Sequence, residues 1–159
     1  MPTEKASIFT LAKFGSFAVF EGNFEHGYIN KKDENGSGLL HYAISGRQFE
    51  IASYLIDKGI DLNQQNSDGQ TALHLICVNQ NVEVAQKILS NGGDINIRDK
   101  YGNNAMWAAV FNCKGKNYEI VELFMQYKPD VQTKNKAGRS PLDFAQQVGN
   151  DRLIKMLLS

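Results

Sequence analysis

The chain has 159 residues, in the size range of one domain, and 42% of them are hydrophobic, enough for a continuous core. Seventeen basic and seventeen acidic residues cancel to zero net charge, which argues against a nucleic-acid binder, whose mark is a basic excess. The two cysteines, Cys77 and Cys113, lie in different segments and read as free thiols of a reducing compartment rather than as a disulfide.

The chain opens with the mixed charges of Met1-Pro2-Thr3-Glu4-Lys5, and the run Ser7 to Lys13 is too short and interrupted for the apolar stretch of a signal peptide. No window of 18 apolar residues exists, so no membrane span is expected, and the chain reads as soluble and cytoplasmic. Ile8 to Tyr28 has helical character with an open register. Either Gly15-Ser16-Phe17 or Gly22-Asn23-Phe24-Glu25 occupies a turn between two helices. Both choices give a unit shorter than those that follow, a degenerate cap over about residues 1–33. His26, near a loop, reads as a plain surface residue.

Beyond it a phrase recurs around Gly36, Gly69, Gly102 and Gly138, at spacings of 33, 33 and 36. Gly36-Ser37-Gly38-Leu39-Leu40-His41 is followed by Gly69-Gln70-Thr71-Ala72-Leu73-His74. Then come Gly102-Asn103-Asn104-Ala105-Met106-Trp107 and Gly138-Arg139-Ser140-Pro141-Leu142-Asp143. A second phrase closes the units: Gly59-Ile60-Asp61-Leu62-Asn63, Gly92-Gly93-Asp94-Ile95-Asn96 and Lys128-Pro129-Asp130-Val131-Gln132. Thr71 and Ser140 are good helix N-caps, and Pro141 suits a first helical position because its missing N–H costs nothing there. Apolar residues recur at helical spacing in second helices: Ile51, Tyr54, Leu55; Val84, Ile88, Leu89; Ile120, Leu123, Phe124. Gly59 and Gly92 stand where left-handed C-caps belong. The last unit ends at Leu157-Leu158-Ser159 and is expected to cap the stack with Arg152 and Lys155 on its outer face.

Over roughly residues 27–159 these phrases resemble the ankyrin family, whose unit of about 33 residues is a turn plus two helices with a Thr-Pro-Leu-His signature. The resemblance implies an all-α solenoid of stacked helix-turn-helix units with short hairpin loops. The expected units are about 34–66, 67–99 and 100–135, with a capping repeat at about 136–159.

No residue pattern points to catalysis. His41 and His74 sit at the signature position, where the family uses the imidazole for hydrogen bonds between neighbouring turns, and Trp107 and Asp143 occupy the equivalent places. Asp143 can accept similar bonds, whereas Trp107 cannot and is expected to fill space between turns. Cys77, among Leu73, Ile76 and Val78, reads as a small buried hydrophobe. Two cysteines and three histidines show no zinc spacing. Gly92-Gly93 follows a helix rather than opening one, and Lys114-Gly115-Lys116 lacks the glycines of a nucleotide-binding loop. The chain is therefore expected to be no enzyme and to need neither cofactor nor metal.

The resemblance implies a concave binding face of hairpin tips and first-helix ends. Carried onto this chain, it takes Glu34, Asn35, Ser37, Ser45 and Gly46, then Ser67, Asp68, Gln70, Val78 and Asn79. The next units contribute Lys100, Tyr101, Asn103, Phe111 and Asn112, then Lys136, Ala137, Arg139, Gln147 and Val148. Ala43 to Glu50 and Ile76 to Glu83 each span seven residues, but Ala109 to Glu119 spans ten, so the third unit carries three extra residues between its helices. That insertion is either tolerated loop drift or a contact loop presenting Lys114 and Lys116 beside Tyr101, Trp107, Phe111 and Tyr118. The expected partner contacts are Tyr101, Phe111, Asn103, Asn112, Lys100, Lys114, Lys116, Asp68, Gln70, Asn79 and Arg139. Trp107 to Lys116, with Ser140 to Asp143, is also similar to a group of small bacterial ankyrin proteins that serve as immunity proteins against toxins. This implies a monomer that binds and neutralises a cognate toxin; the alternative is an adaptor or host-directed effector. No second domain is expected beside the repeats, which favours the stand-alone inhibitor.

Overall fold

A computed structural model describes residues 6–159; the mixed-charge opening Met1 to Lys5 lies outside the described residues. Five helix pairs follow one another: α1 (Ile8–Phe14) and α2 (Phe17–Asn23), α3 (Leu39–Ser45) and α4 (Phe49–Asp57), α5 (Ala72–Asn79) and α6 (Val82–Ser90), α7 (Ala105–Asn112) and α8 (Glu119–Met125), α9 (Pro141–Gln147) and α10 (Asp151–Leu158). Among the described residues a single 3-10 turn covers His26–Tyr28, and one isolated antiparallel bridge joins Lys32 to Gly38. No helix among the described residues is long and apolar enough to cross a membrane.

These helices are too short to persist alone, so packing must hold them. The first helices stack in the order α1, α3, α5, α7, α9, and the second helices form a parallel layer in the order α2, α4, α6, α8, α10. The core lies between the layers and runs the length of the stack, with Phe20, Leu39, Ile44, Ile51, Leu55, Leu73, Ile76, Ile88, Met106, Ile120, Phe124 and Leu153 fully buried along it. Burial is thus shared between neighbouring pairs, as a solenoid requires.

The first pair settles into one of its two open registers. Ser7 caps α1 by accepting the Thr10 N–H at 3.1 Å, and Ser16 caps α2 by accepting the Val19 N–H at 3.4 Å. The turn between the helices is therefore Gly15-Ser16, while Gly22 and Asn23 belong to α2. With Ser7 at the cap, Thr10 takes the place that His41 and His74 hold in their helices, and Phe14 stands level with Ser45, Val78 and Phe111.

Successive pairs are registered by a backbone ladder at the hairpin tips and by a row of asparagine side chains at the other edge. At the hairpin tips, the N–H groups of Ser67, Lys100 and Lys136 donate to the carbonyls of Asn35, Asp68 and Tyr101 at 2.8–2.9 Å. Each tip is tightened from within by a short polar side chain, as when Asp99 Oδ1 accepts from the N–H groups of Tyr101 and Asn103, both at 2.9 Å. Gly69 shows why the signature glycine recurs: its φ is +74°, and a Cβ there would lie 2.8 Å from the Lys100 nitrogen, inside the ladder. At the other edge Asn30, Asn63 and Asn96 accept from the N–H groups of Asp61, Asp94 and Asp130 at 2.7–2.9 Å.

Candidate functional site

The histidines act as struts. Gly38 N–H donates to His41 Nδ1 at 3.2 Å, which leaves the proton on Nε2, and Nε2 donates across to the Gln70 carbonyl at 2.9 Å. His74 repeats this with Thr71 N–H and the Asn103 carbonyl, at 3.1 and 2.9 Å. The Thr71 hydroxyl lies 3.0 Å from the same imidazole Nδ1, so this N-cap acts through the histidine rather than on the helix N–H groups. Burial pushes both imidazoles below their ordinary pKa. Both are therefore neutral in the fold, and the unfolded chain binds protons more readily. Their contribution is fully present above the unfolded pKa of about 6.5 and is lost as pH falls below it. The melting temperature should hold steady from about pH 8 to 7 and decline through about pH 6 to 5, well above the range where carboxylates titrate. Thermal melts over that range test this, and a flat profile down to the carboxylate range would refute it.

In the fourth pair Trp107 stands where histidine stood before, and the cap residue takes over the bridging. Asn104 Oδ1 accepts the Trp107 N–H at 3.0 Å, while Asn104 Nδ2 donates to the Asp130 carbonyl at 2.7 Å. Freed from that duty, the indole stacks on Phe111 with ring centroids 5.3 Å apart and meets Phe144 at 5.5 Å. Trp107 Nε1 is buried without a hydrogen-bond partner. In the fifth pair Asp143 Oδ2 accepts from Ser140 N–H and from Lys134 Nζ, both at 2.8 Å. The Lys134 ammonium and the Ser140 donors hold this carboxyl at about 2.

The surface that the tips and first-helix ends present carries a periodic row of exposed apolar side chains. Phe14 (71%), Val78 (66%) and Phe111 (49%) share one register position, interrupted by Ser45, and Val148 (53%) follows α9 one place further on. Tyr101, 57% exposed, projects from the third tip. Among the expected contacts, Tyr101, Phe111, Lys100, Lys114, Lys116 and Arg139 are exposed. Gln70 and Asp68 are half-buried, and Asp68 already pairs with Lys100 Nζ at 2.5 Å, leaving that ammonium 5.0 Å from the Tyr101 ring centre.

Three asparagines of the expected set serve the fold as well. Asn79 Nδ2 donates to the Ile44 carbonyl at 2.9 Å and ties α5 to α3, and Asn112 Nδ2 folds back on the Ala108 carbonyl at 2.8 Å. Asn103 receives His74 on its carbonyl and the Asn135 amide on its side chain. Gly46 faces inward: a Cβ there would collide with the Lys13 carbonyl at the end of α1. Arg152, expected on the outer face, turns back to Glu122 at 2.9 Å and lies 4.1 Å over the Tyr118 ring. Phe14 was missing from the expected face because its place depends on Ser7 being the cap, and the signal for it was the Ser-x-x-Thr spacing of Ser7 and Thr10.

Both thiols are buried and free, and burial pushes Cys77 far up. Among the described residues no three His, Cys, Asp or Glu side chains gather as a metal site would require.

Paired short helices, tip ladders and bridging histidines define a helical repeat scaffold. A family description of ankyrin repeats in three copies matches residues 8–99 and again 79–159, so the chain belongs to the ankyrin-repeat family. Its repeats indicate a protein–protein interaction module, and the family is generally a non-enzymatic binding scaffold. No curated protein matches the chain.

Proposed function

We propose that this chain binds another protein across its hairpin tips and first-helix ends, without catalysis, and that its third and second full units dominate the contact. The supporting observation is the exposed apolar row Phe14, Val78, Phe111, repeated at one register position, together with the exposed Tyr101 on the third tip. Exposed aromatic residues clustered on a face mark interaction surfaces, and aromatic anchors dominate binding energy. Tyr101 and Phe111 are the anchors, with Lys100, Asn103, Asn112, Asp68, Gln70, Asn79 and Arg139 around them and Lys114 and Lys116 steering association.

More specifically, we read the protein as an immunity protein that acts as a cytoplasmic monomer and neutralises a cognate toxin. The Trp107 to Lys116 stretch and Ser140 to Asp143 support this through their similarity to the bacterial immunity group. The test is co-expression with the products of adjacent genes, scored for rescue of growth and for a stable complex. A complex with a growth-arresting neighbour, abolished by Tyr101→Ala, is expected. Stable binding to a partner that has no toxicity would replace this role with that of an adaptor.

A further inference from the structure

The three-residue insertion and the last helix pair enclose a cavity of about 430 Å³, in the size range of small-molecule sites. Its walls are Val110 and Phe111 from α7, Phe144 and Val148 from α9 and its cap, and Leu153 from α10, with Lys114 on the insertion. Two of its lining residues, Phe111 and Val148, are among the exposed apolar residues of the proposed binding face.

The rim is braced. Lys116 and Asn117 N–H groups both donate to the Cys113 carbonyl, at 2.9 and 3.0 Å. Lys114 and Gly115 then take successive left-handed conformations, with φ of 49° and 68°. Asn150, on the wall, donates to the Tyr118 hydroxyl at 3.1 Å and accepts the Leu153 N–H at 3.0 Å, so its hydrogen-bonding groups are engaged within the fold. A preformed pocket spares a ligand much of the ordering cost of binding.

None of the lining residues is acidic, and Lys114 takes part in none of the ion pairs among the described residues. The pocket thus joins an apolar, partly aromatic interior to one cation at its mouth. We propose that it receives a single large apolar side chain of the partner protein, aromatic by preference, with a carboxylate next to it that meets Lys114. This rests on the reading of the chain as a protein-binding module and names the chemistry of the partner segment at one place on that face.

The probes are three capped dipeptides: acetyl-Phe-Asp-amide, acetyl-Phe-Asn-amide and acetyl-Ala-Asp-amide. They are titrated into the full chain and followed by amide chemical shifts and by the fluorescence of Trp107, the one tryptophan. Acetyl-Phe-Asp-amide should bind weakly and shift residues 110–116 and 144–153 while leaving the first two helix pairs unmoved. The Asn peptide should bind roughly two- to fivefold more weakly, the worth of an exposed ion pair, and the Ala peptide not at all. Val148→Glu should abolish binding, and its melting curve should stay close to that of the parent because Val148 is exposed. If that variant melts early, Lys114→Asn, which tolerates the left-handed backbone, should remove only the preference for aspartate. Absent or scattered shifts, equal binding of all three peptides, or undiminished binding to a folded Val148→Glu chain would overturn the proposal. A partner that binds Val148→Glu as well as the parent, yet loses affinity with Tyr101→Ala, overturns the pocket alone and leaves the wider reading standing.

Discussion

Leu73→Ala should lower the stability of the chain by about 2–5 kcal/mol, the range for truncating a buried leucine. Leu73 is 1% exposed and belongs to α5, which packs against α3 on one side and α7 on the other. The lost methyl groups leave a cavity that neighbouring helices close only in part, and the packing around it also fills the joint between units. In a stack whose stability sums unit and interface terms, a central defect weakens the coupling on both sides. Whole domains are stable by only about 5–15 kcal/mol, so the loss is a large fraction of the total. For a chain of this size each kcal/mol is worth about 2–4 °C in melting temperature. Val78→Ala, on the same helix and 66% exposed, is the control and should stay within about 0.5 kcal/mol of the parent. Denaturant melts of both variants decide the matter. A Leu73→Ala loss as small as that of the control would place this side chain outside the core.

Tyr101→Ala and Phe111→Ala should each weaken binding to the partner by about 1–4 kcal/mol, the range for aromatic anchors. Their effects on the free protein should differ. Tyr101 is 57% exposed on a hairpin tip, with the Lys100 ammonium 5.0 Å from its ring centre, so its removal should change stability by less than about 0.5 kcal/mol. Phe111 is half-exposed but stacks on Trp107 and lies 5.7 Å from Phe144, ring centre to ring centre. Losing two aromatic contacts should lower stability by about 0.5–1.5 kcal/mol per pair, and the fluorescence of Trp107 should report it. The variant remains folded because Phe111 lies over the core rather than in it. Lys114→Asn with Lys116→Gln should mainly slow association and flatten its salt dependence. Calorimetry against the captured partner, with melting curves beside it, separates the outcomes. If both aromatic variants bind like the parent, the contact lies elsewhere on the solenoid.

How much of this was legible in the residues depends on the distance over which each feature is decided. The recurring phrase, the left-handed glycines at 59 and 92, the Ser140–Pro141 helix start and the apolar spacing of the second helices are short-range facts. Each is settled within three or four residues by backbone sterics, capping and helical periodicity, so residue order alone determined them. The all-helical stack followed, because no single unit can bury its apolar face without a neighbour.

The rest was decided by partners some 30 residues away. Gly15-Ser16-Phe17 and Gly22-Asn23-Phe24-Glu25 were both open as the turn of the first unit, and the packing of α1 on α3 goes with the former, with Ser7 as the cap and Phe14 carried onto the open face. Asn79 and Asn103 have the polarity of contact residues, but the carbonyl of Ile44 and the amide of Asn135 claim their side chains. The insertion was visible as three extra residues, yet only the meeting of Tyr118 with Asn150 and Arg152 turns it into the braced wall of a pocket. Spacing along a chain determines what a residue can do locally. Where two polar groups lie within hydrogen-bond reach, or two rings within stacking distance, is determined by how neighbouring units pack, and that geometry exists only once the solenoid has formed.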